Sequence, residues 1–314
     1  MAFSIALAPM AGYTDQSFRR ICTAYGMDHA TTEMVSTKAL YYKDKKTRRL
    51  MAVAENEAPV NLQLFGDDAA IFQEVIEDLG DELKSFRALD INMGCPAPKI
   101  VKTGAGSALL KTPEKAEAII KACVKASPIP VTVKIRKGFD EGSEEGMEVA
   151  KIAEAAGASE ITVHGRTRQA YYSGRADWDF ILRVAEAVSV PVIGNGDILK
   201  AKDVLKHRAD TLAGVAVGRG AVGHPFIFRE IGQLLLGEEA QLPDKDEIIA
   251  TAKKHLALSV AEKGEHLGVI EMRKHFIGYL KGFEQAKKRR NEILALKREE
   301  DILRYLDHLA KESP

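Results

Sequence analysis

The feature that most constrains the fold of this chain is a regular alternation of short apolar runs with helical patterns, which continues to about residue 236. Short apolar runs are typical of buried strands, whereas apolar positions spaced three and four apart are typical of helices. Eight segments are predicted to be strands: residues 5–10, 29–34, 60–65, 88–93, 131–135, 161–164, 190–193 and 212–217. Strands joined through helices run parallel within one sheet.

The segments between these strands carry helix signals. Helices are predicted at residues 69–79, 113–126, 145–155 and 178–188. Thr112 precedes Pro113, so its hydroxyl is predicted to cap a helix whose first position is proline. Asp177 precedes Trp178 and is predicted to play the same capping role.

Eight strands with helical crossovers favour a closed (β/α)8 TIM barrel. An open doubly wound sheet remains an alternative, because a count of strands does not prove that the sheet closes. A barrel makes a further demand, since active sites of this fold lie at the carboxyl ends of the strands. The unusual stretches of the sequence do follow predicted strands: "APMAG", "QLFG", "NMGCP", "KIRKG", "HGRT", "NGD" and "GRG".

The alternation ends near Leu236, and the remaining sequence has helical periodicity without strand signals. We therefore predict a barrel domain over residues 1–238 and a small all-helical domain over residues 239–314, with Pro243 near the linker.

Composition narrows the possible classes of protein. Lysine plus arginine equals aspartate plus glutamate at 45 each, so a nucleic-acid surface must be a local patch. The cysteines at positions 22, 95 and 123 form no CxxC pair, which argues against a disulfide framework or a metal site. The N-terminal apolar run lacks a basic start and is too short for a signal peptide or a membrane span. We predict a cytoplasmic protein that contacts no membrane.

The stretch "GVAVGRGAVG" offers two interpretations. Its glycines at 218, 220 and 223 have the GxGxxG spacing of a dinucleotide-binding loop, and Glu238 lies 20 residues after Gly218. That interpretation needs a second strand leading to the acid, whereas residues 226–236 have a helical pattern. On the barrel interpretation this loop and "GNGD" follow the last two strands and form an anion site, to which Arg219 can contribute. The remaining alternative is that the glycines serve tight turns alone.

Polar side chains within strands suggest where a ligand binds. Lys134 and Arg136 alternate onto one face of "VKIRKG", towards the mouth of the barrel. A buried lysine is costly without a partner, and an anionic reduced isoalloxazine ring or a barrel acid such as Asp90 can supply one. His164 ends its strand in "ITVHGRT", and Gln63 in "NLQLFG" offers an amide with both donors and acceptors.

These motifs together resemble the tRNA-dihydrouridine synthases, most nearly the bacterial B-type branch. The resemblance rests on "APMAGYTD", "QLFGDD", "DINMGCPAPKIVKTGAGSALL", "VKIR", "VHGRTR", "IGNGDI" and "GRGAVGHPFIF", with "MRKHFIGYLKG" in the helical part. One departure is Gly278-Tyr279, where the family usually has Trp-Tyr.

The resemblance implies an FMN-containing enzyme that uses NADPH to reduce the C5=C6 bond of a uridine in the tRNA D-loop. It implies no protein partner. By similarity, Cys95 donates the proton and Asn92 contacts the uracil. The residues that the resemblance assigns to FMN are Ala8, Pro9, Met10, Gln63, Lys134, His164, Asn195, Gly196, Asp197, Gly218 and Arg219.

The proposed reaction explains why a lone thiol follows a predicted strand in "LDINMGCP". Hydride addition at C6 of uracil leaves charge at C5 and O4, and C5 then needs a proton. A thiol with a pKa of about 8.5 is protonated near neutral pH, whereas a carboxylic acid is ionised there. The alternative for Cys95 is a small buried hydrophobic residue, which is our interpretation of Cys22 and Cys123.

A target uridine must be extruded from the folded RNA, and the protein must hold the rest of that RNA. Residues 272–314 contain 11 basic and 7 acidic side chains, and four of the basic ones are contiguous at 287–290. The loop "GRTRQAYYSGR" places Tyr171 and Tyr172 among arginines, and the glycine-containing loop 102–107 is predicted to close over the substrate. The residues predicted to contact RNA are Lys99, Lys102, Arg136, Arg166, Arg273, Lys274, Lys287 and Lys288.

Two rival functions remain. One is a flavin barrel that acts on a free small molecule, related to dihydroorotate or dihydropyrimidine dehydrogenases, which needs no basic helical extension. The other is an RNA-binding protein without catalysis, which the presence of Cys95, Lys134 and His164 disfavours.

Overall fold

Parallel strands close into a barrel in the computed structural model, which describes residues 3–312. The strands are β1 Ser4–Leu7, β2 His29–Thr31, β3 Val35–Ser36, β4 Val60–Phe65, β5 Ala88–Met93, β6 Val131–Arg136, β7 Glu160–His164, β8 Val192–Asn195 and β9 Gly214–Val217. Each strand from β4 to β9 pairs with the next, β9 pairs with β1, and β1 pairs with β2. The pairing of β2 with β4 closes the ring, so the predicted TIM barrel is confirmed and the open sheet is wrong.

Only two of the eight predicted strands match the structure at both ends, and two others differ from it most. The first strand ends at Leu7, because the chain turns at Met10, whose carbonyl accepts from the backbone N–H of Tyr13. The predicted strand at 29–34 ends at Thr31 and is followed by the separate β3, which pairs with the last residues of β4. The predicted strands at 60–65 and 88–93 are confirmed at both ends.

Helices separate the strands along the barrel. They are α1 Gln16–Thr23, α2 Thr37–Tyr41, α3 Lys45–Arg49, α4 Ala69–Leu79, α5 Pro98–Val101, α6 Pro113–Ala126, α7 Glu145–Ala155, α8 Trp178–Ala187, α9 Asp203–His207 and α10 Ile227–Leu235. The Asp177 carboxylate accepts from the N–H of Phe180, as predicted for a cap. The predicted cap at Thr112 is wrong: its backbone, with ψ of 68°, is not extended as a cap requires, and its hydroxyl makes no capping bond.

Four further helices follow the barrel: α11 Lys245–Lys263, α12 Glu265–Tyr279, α13 Ala286–Ala295 and α14 Glu299–Lys311. They bury a second hydrophobic cluster that includes Leu256, Phe276 and Leu306, separate from the barrel core. The predicted division after residue 238 falls between α10 and α11. Among residues 3–312, no helix combines the length and apolar content that crossing a bilayer requires.

The helical unit packs directly on the barrel. Its α11 contacts α1, where Lys263 pairs with Asp15 and the Tyr25 hydroxyl lies 2.5 Å from that of Thr251. The loop after β9 meets α12 with backbone against backbone, because a Cβ atom at Gly223 or at Gly278 would collide with the opposite main chain. These contacts hold the helical unit beside the mouth of the barrel.

A buried ion pair anchors α1 to the segment before β4. The Nε atom of Arg19 lies 2.8 Å from Oε2 of Glu57, and the two side chains are 1% and 0% exposed. Arg19 also donates to the carbonyls of Thr14 at 2.9 Å and Ala52 at 2.6 Å. The pair is thus fully desolvated and well bonded, the condition under which losing one partner is most costly.

Candidate active site

A cavity of about 770 Å³ opens at the carboxyl ends of the barrel strands. Its size lies within the range of cofactor and ligand pockets. Of the predicted site residues, its lining includes Ala8, Pro9, Met10, Gln63, Asn92, Cys95, Lys134, Arg136, His164, Asn195, Gly196, Asp197, Gly218, Arg219 and Lys274. The residues predicted to contact ligands that lie outside this lining are Lys99, Lys102, Arg166, Arg273, Lys287 and Lys288.

Lys134 brings a positive charge to the cavity. Its Nζ donates to Oδ1 of Asn195 at 3.1 Å, and Asn195 in turn donates from Nδ2 to the carbonyl of Ala216 at 2.7 Å. Burial, reinforced by the charge of Arg136, lowers the pKa of Lys134 to about 8. The alternative partner Asp90 accepts instead from Gln63 and Thr132, and no ion pair within residues 3–312 joins it to Lys134.

His164 lines the same cavity and is buried. Burial, together with the charges of Arg136 and Lys134, holds the pKa of His164 well below its ordinary value. The ring is therefore neutral near neutral pH, with one nitrogen able to donate and the other able to accept a hydrogen bond.

Cys95 is half-buried at the cavity wall and directly follows Gly94 in the loop after β5. Its backbone N–H donates to Oδ1 of Asn92 at 2.9 Å, and its carbonyl accepts from the backbone N–H and the hydroxyl of Ser107 at 3.1 and 2.9 Å. Burial raises the pKa of the Cys95 thiol, against the opposing charge of Arg136. The thiol is thus protonated near neutral pH, whereas Cys22 and Cys123 are fully buried in helices, as predicted.

The Asn92 side chain accepts from the backbone N–H groups of Gly94 and Cys95, and residues 92–95 are here called the Cys95 turn. The glycine-containing loop 102–107, predicted to close over the substrate, packs on this turn. Gly106 has a φ of 61°, and a Cβ atom there would lie 3.0 Å from the carbonyl oxygen of Cys95. Residues 105–107 are buried, whereas Lys99 and Lys102 are exposed on α5 and directly after it. Residues 106 and 107 of the loop therefore pack against the backbone of Cys95. Closure of the loop over a substrate stays a prediction.

Arg166 occupies a different position from the one expected of an RNA contact. Its side chain is 2% exposed, and Nη2 donates to Oδ2 of Asp197 and to the carbonyl of Gly174, each at 2.8 Å. Its Nε donates to the carbonyl of Ser173 at 3.0 Å. Because these bonds hold the 165–175 loop together, the burial of Arg166 argues against direct contact with RNA.

The predicted anion site also contains a carboxylate. Asp197, whose φ is 53°, accepts from Nη2 of Arg219 at 3.1 Å. The guanidinium of Arg219 lies 4.8 Å from the centre of the Tyr172 ring. Arg136 is bound to the 165–175 loop, because its Nη1 donates to the carbonyls of Thr167 and Tyr171 at 2.8 and 3.0 Å.

The helical unit contributes one side of the cavity through Lys274, Ile277, Lys281 and Arg290. Lys274 donates to the carbonyl of Gly12 and lies 5.0 Å from the Tyr13 ring centre. Ile277, Lys281 and Arg290 are not among the site residues predicted from sequence. Their signal was present in "MRKHFIGYLKG" and in the basic run, but which face of each helix meets the barrel depends on packing.

The basic run at 287–290 is divided between two roles. Lys287 and Lys288 are exposed on α13, with Lys288 Nζ 4.0 Å from a Glu292 oxygen. Arg289 instead pairs with Glu312 at 2.5 Å, and Arg290 lines the cavity. Two lysines of the run therefore face solvent beside the cavity's helical wall.

Comparisons with known proteins give consistent results. A family described as "Dihydrouridine synthase (Dus)" matches residues 6–313. A "tRNA-dihydrouridine synthase B" of Pseudomonas syringae pv. tomato is 41% identical, covering 88% of this chain and 82% of its own length. A "Probable tRNA-dihydrouridine synthase" of Rickettsia conorii is 39% identical over 93% of this chain and 89% of its own. A "tRNA-dihydrouridine synthase B" of Vibrio parahaemolyticus is 39% identical over 93% and 91%.

Proposed function

This chain belongs to the dihydrouridine synthase family, and from that premise we propose that it reduces uridine in tRNA to 5,6-dihydrouridine. The observation that carries the proposal is a protonated thiol, Cys95, and a buried ammonium, Lys134, on the wall of one barrel cavity. The test is to incubate the purified protein with unmodified tRNA, FMN and NADPH and to map dihydrouridine in the product. Dihydrouridine absent from the tRNA, with flavin bound to the protein, would contradict the proposal.

The cavity residues fit FMN. The ammonium of Lys134 has no carboxylate partner among the described residues and is available to an electron-rich ring edge. The neutral His164 can offer a donor or an acceptor to a heteroaromatic ring. The NH2 groups of Gln63 and Asn92 each have one N–H besides the one that bonds to Asp90 and to Gln63, respectively. At Gly218 a Cβ atom would stand against Met10 and Ala8 on the cavity wall, so its absence leaves room for a ligand.

When bound, FMN supplies the hydride that NADPH provides and that C6 of the uracil receives. The protein's own residues must do the rest. Cys95 donates its proton to C5 and becomes a thiolate, which regains a proton from solvent. Arg136, held beside Cys95 by its bond to the Gly94 carbonyl at 2.8 Å, stabilises that thiolate. Asn92 orients the uracil.

The helical unit holds the RNA while one nucleotide enters the cavity. Lys274, Lys281 and Arg290 line the entrance and meet the phosphates nearest the extruded base. Lys287 and Lys288 contact the backbone further away, and Tyr171 and Tyr172 stack on bases. A flavin enzyme that acts on a free small molecule would need no such helical unit.

Changing Lys287 and Lys288 together to glutamate is expected to weaken tRNA binding roughly tenfold, because two phosphate contacts are lost. The slope of log affinity against log salt should fall by about 2 for the same reason. Filter binding of tRNA at several salt concentrations measures both quantities. The matched control is Lys121→Glu with Lys125→Glu, two exposed lysines on α6 of the barrel. Equal affinities of the two double variants would exclude α13 from the RNA surface.

Replacing Lys134 with methionine is expected to remove a pH dependence from flavin binding. With a pKa of about 8, Lys134 loses its positive charge as the pH rises through that value. Because FMN is anionic, the wild-type affinity should fall by up to about tenfold between pH 7 and pH 9. The affinity of Lys134→Met should be weaker at pH 7 and nearly constant over this range. Quenching of flavin fluorescence during titration of the apoprotein measures both; a constant wild-type affinity would contradict the role of Lys134.

A further inference from the structure

A line of buried hydrogen bonds runs across three neighbouring strands and ends at Cys95. The Thr132 hydroxyl donates to Oδ1 of Asp90 at 2.6 Å, and Gln63 donates from Nε2 to Oδ2 of Asp90 at 2.7 Å. Asn92 donates from Nδ2 to Oε1 of Gln63 at 2.8 Å. Oδ1 of Asn92 then accepts from the backbone N–H groups of Gly94 at 3.1 Å and Cys95 at 2.9 Å.

The strand register brings these residues together. Gln63 on β4 is opposite Asp90 on β5, and Asp90 is opposite Thr132 on β6. Asn92 lies two residues after Asp90, on the same face of β5. Thr132, Asp90, Gln63 and Asn92 are 3%, 3%, 1% and 8% exposed, so water does not replace a lost bond readily.

The bonds have a fixed direction. A carboxylate can only accept, so Asp90 draws the NH2 group of Gln63 towards itself and turns the Gln63 oxygen towards Asn92. That oxygen draws the NH2 group of Asn92, which leaves the Asn92 oxygen for the two backbone N–H groups of the Cys95 turn. Reversing either amide would set donor against donor in a buried place, which is costly.

We propose that Asp90 is a positioning residue that fixes the Cys95 turn through Gln63 and Asn92. The importance of this positioning for catalysis rests on the proposed function, whereas the position of the thiol itself can be measured without any reaction. Asp90 does not itself line the cavity and has no hydrogen bond to the thiol, so it acts through the two amides.

The Thr132 hydroxyl can either donate or accept, so the line of bonds should tolerate an amide at position 90 but not an apolar side chain. In Asp90→Asn, the new side-chain oxygen still accepts from Gln63 and its NH2 group donates to the reversed Thr132 hydroxyl. The direction of the bonds is thereby kept. Asp90→Leu has a similar size but removes the acceptor, and Gln63→Met interrupts the line at the next residue.

The test is the rate at which iodoacetamide alkylates each cysteine, resolved by mass spectrometry of the peptides. Cys95 is half-buried, whereas Cys22 and Cys123 are fully buried and report on general loosening. In Asp90→Leu and in Gln63→Met, Cys95 should be alkylated about tenfold faster than in the wild type, because a turn that has lost its buried bonds opens more often. Cys22 and Cys123 should stay protected in both.

Two variants control for burial and charge. Thr132→Val removes one donor to Asp90 without touching Gln63, and its Cys95 should react within about twofold of the wild type, as should that of Asp90→Asn. Wild-type rates in both Asp90→Leu and Gln63→Met would overturn the proposal, as would equal acceleration at all three cysteines. Fast alkylation of Cys95 in Asp90→Asn would also overturn it. Should Asp90→Leu fail to fold, Gln63→Met decides alone. If the wild-type protein makes no dihydrouridine, the proposed function is refuted. The alkylation rates would still test the positioning role of Asp90, because they do not depend on the reaction.

Discussion

Replacing Cys95 with alanine is expected to lower the rate of uridine reduction by about 10²–10⁴-fold, the range typical of losing a general acid. Flavin binding and NADPH oxidation should persist, because the residues proposed to hold FMN stay in place. The thiol is suited to this role since burial raises its pKa and keeps it protonated near neutral pH. Single-turnover reduction of tRNA by the prereduced variant isolates the step from flavin reduction.

Cys123→Ala is the matched control for this prediction. It removes the same atoms from a fully buried position in α6, away from the cavity, and should leave the single-turnover rate unchanged. Product formation by Cys95→Ala at the wild-type rate would remove the thiol from the reaction. Loss of bound flavin in Cys95→Ala would show that the turn has a structural role at the cofactor site.

Replacing Arg19 with methionine is expected to lower the free energy of unfolding by about 3–5 kcal/mol, because it leaves the Glu57 carboxylate buried without its partner. The Thr14 and Ala52 carbonyls lose their donors in the same substitution. Since α1 also packs on α11, the helical unit should loosen together with the start of the barrel. Urea unfolding monitored by circular dichroism measures the change.

Arg48→Met provides the comparison for this stability prediction. Arg48 pairs with Glu82 on the surface, where the two side chains are 50% and 43% exposed, so its loss should cost less than about 1 kcal/mol. Replacing both members of the buried pair, in Arg19→Met with Glu57→Leu, should recover part of the lost stability. Equal effects of Arg19→Met and Arg48→Met would contradict the importance of burial at this pair.

The strands of the barrel could be predicted from sequence because their apolar runs are continuous and bounded. Residues 60–65 and 88–93 are covered on both faces, and such runs have few alternative structures. The end of the first strand and the division of residues 29–34 into β2 and β3 could not be predicted. Both depend on tertiary pairing at the barrel mouth, which local sequence does not specify.

The cavity residues that follow strands could also be predicted, since a closed barrel brings its strand ends to one face. Arg166 shows the limit of this reasoning. An arginine in a polar loop resembles a surface contact, but this loop folds back and surrounds the guanidinium with its own carbonyls. The bonds from Asp90 to Cys95 were likewise hidden, because they join residues on different strands and require the register.

The meeting of Gly223 and Gly278 sets a mechanical limit on the molecule. The two main chains are in direct contact, so no side chain between them can change conformation to let the helical unit tilt towards the barrel. Lys281 and Arg290, which line the cavity, should therefore stay at a fixed position relative to the barrel. A methyl group added at either glycine should push the helical unit away from the barrel and widen the entrance of the cavity.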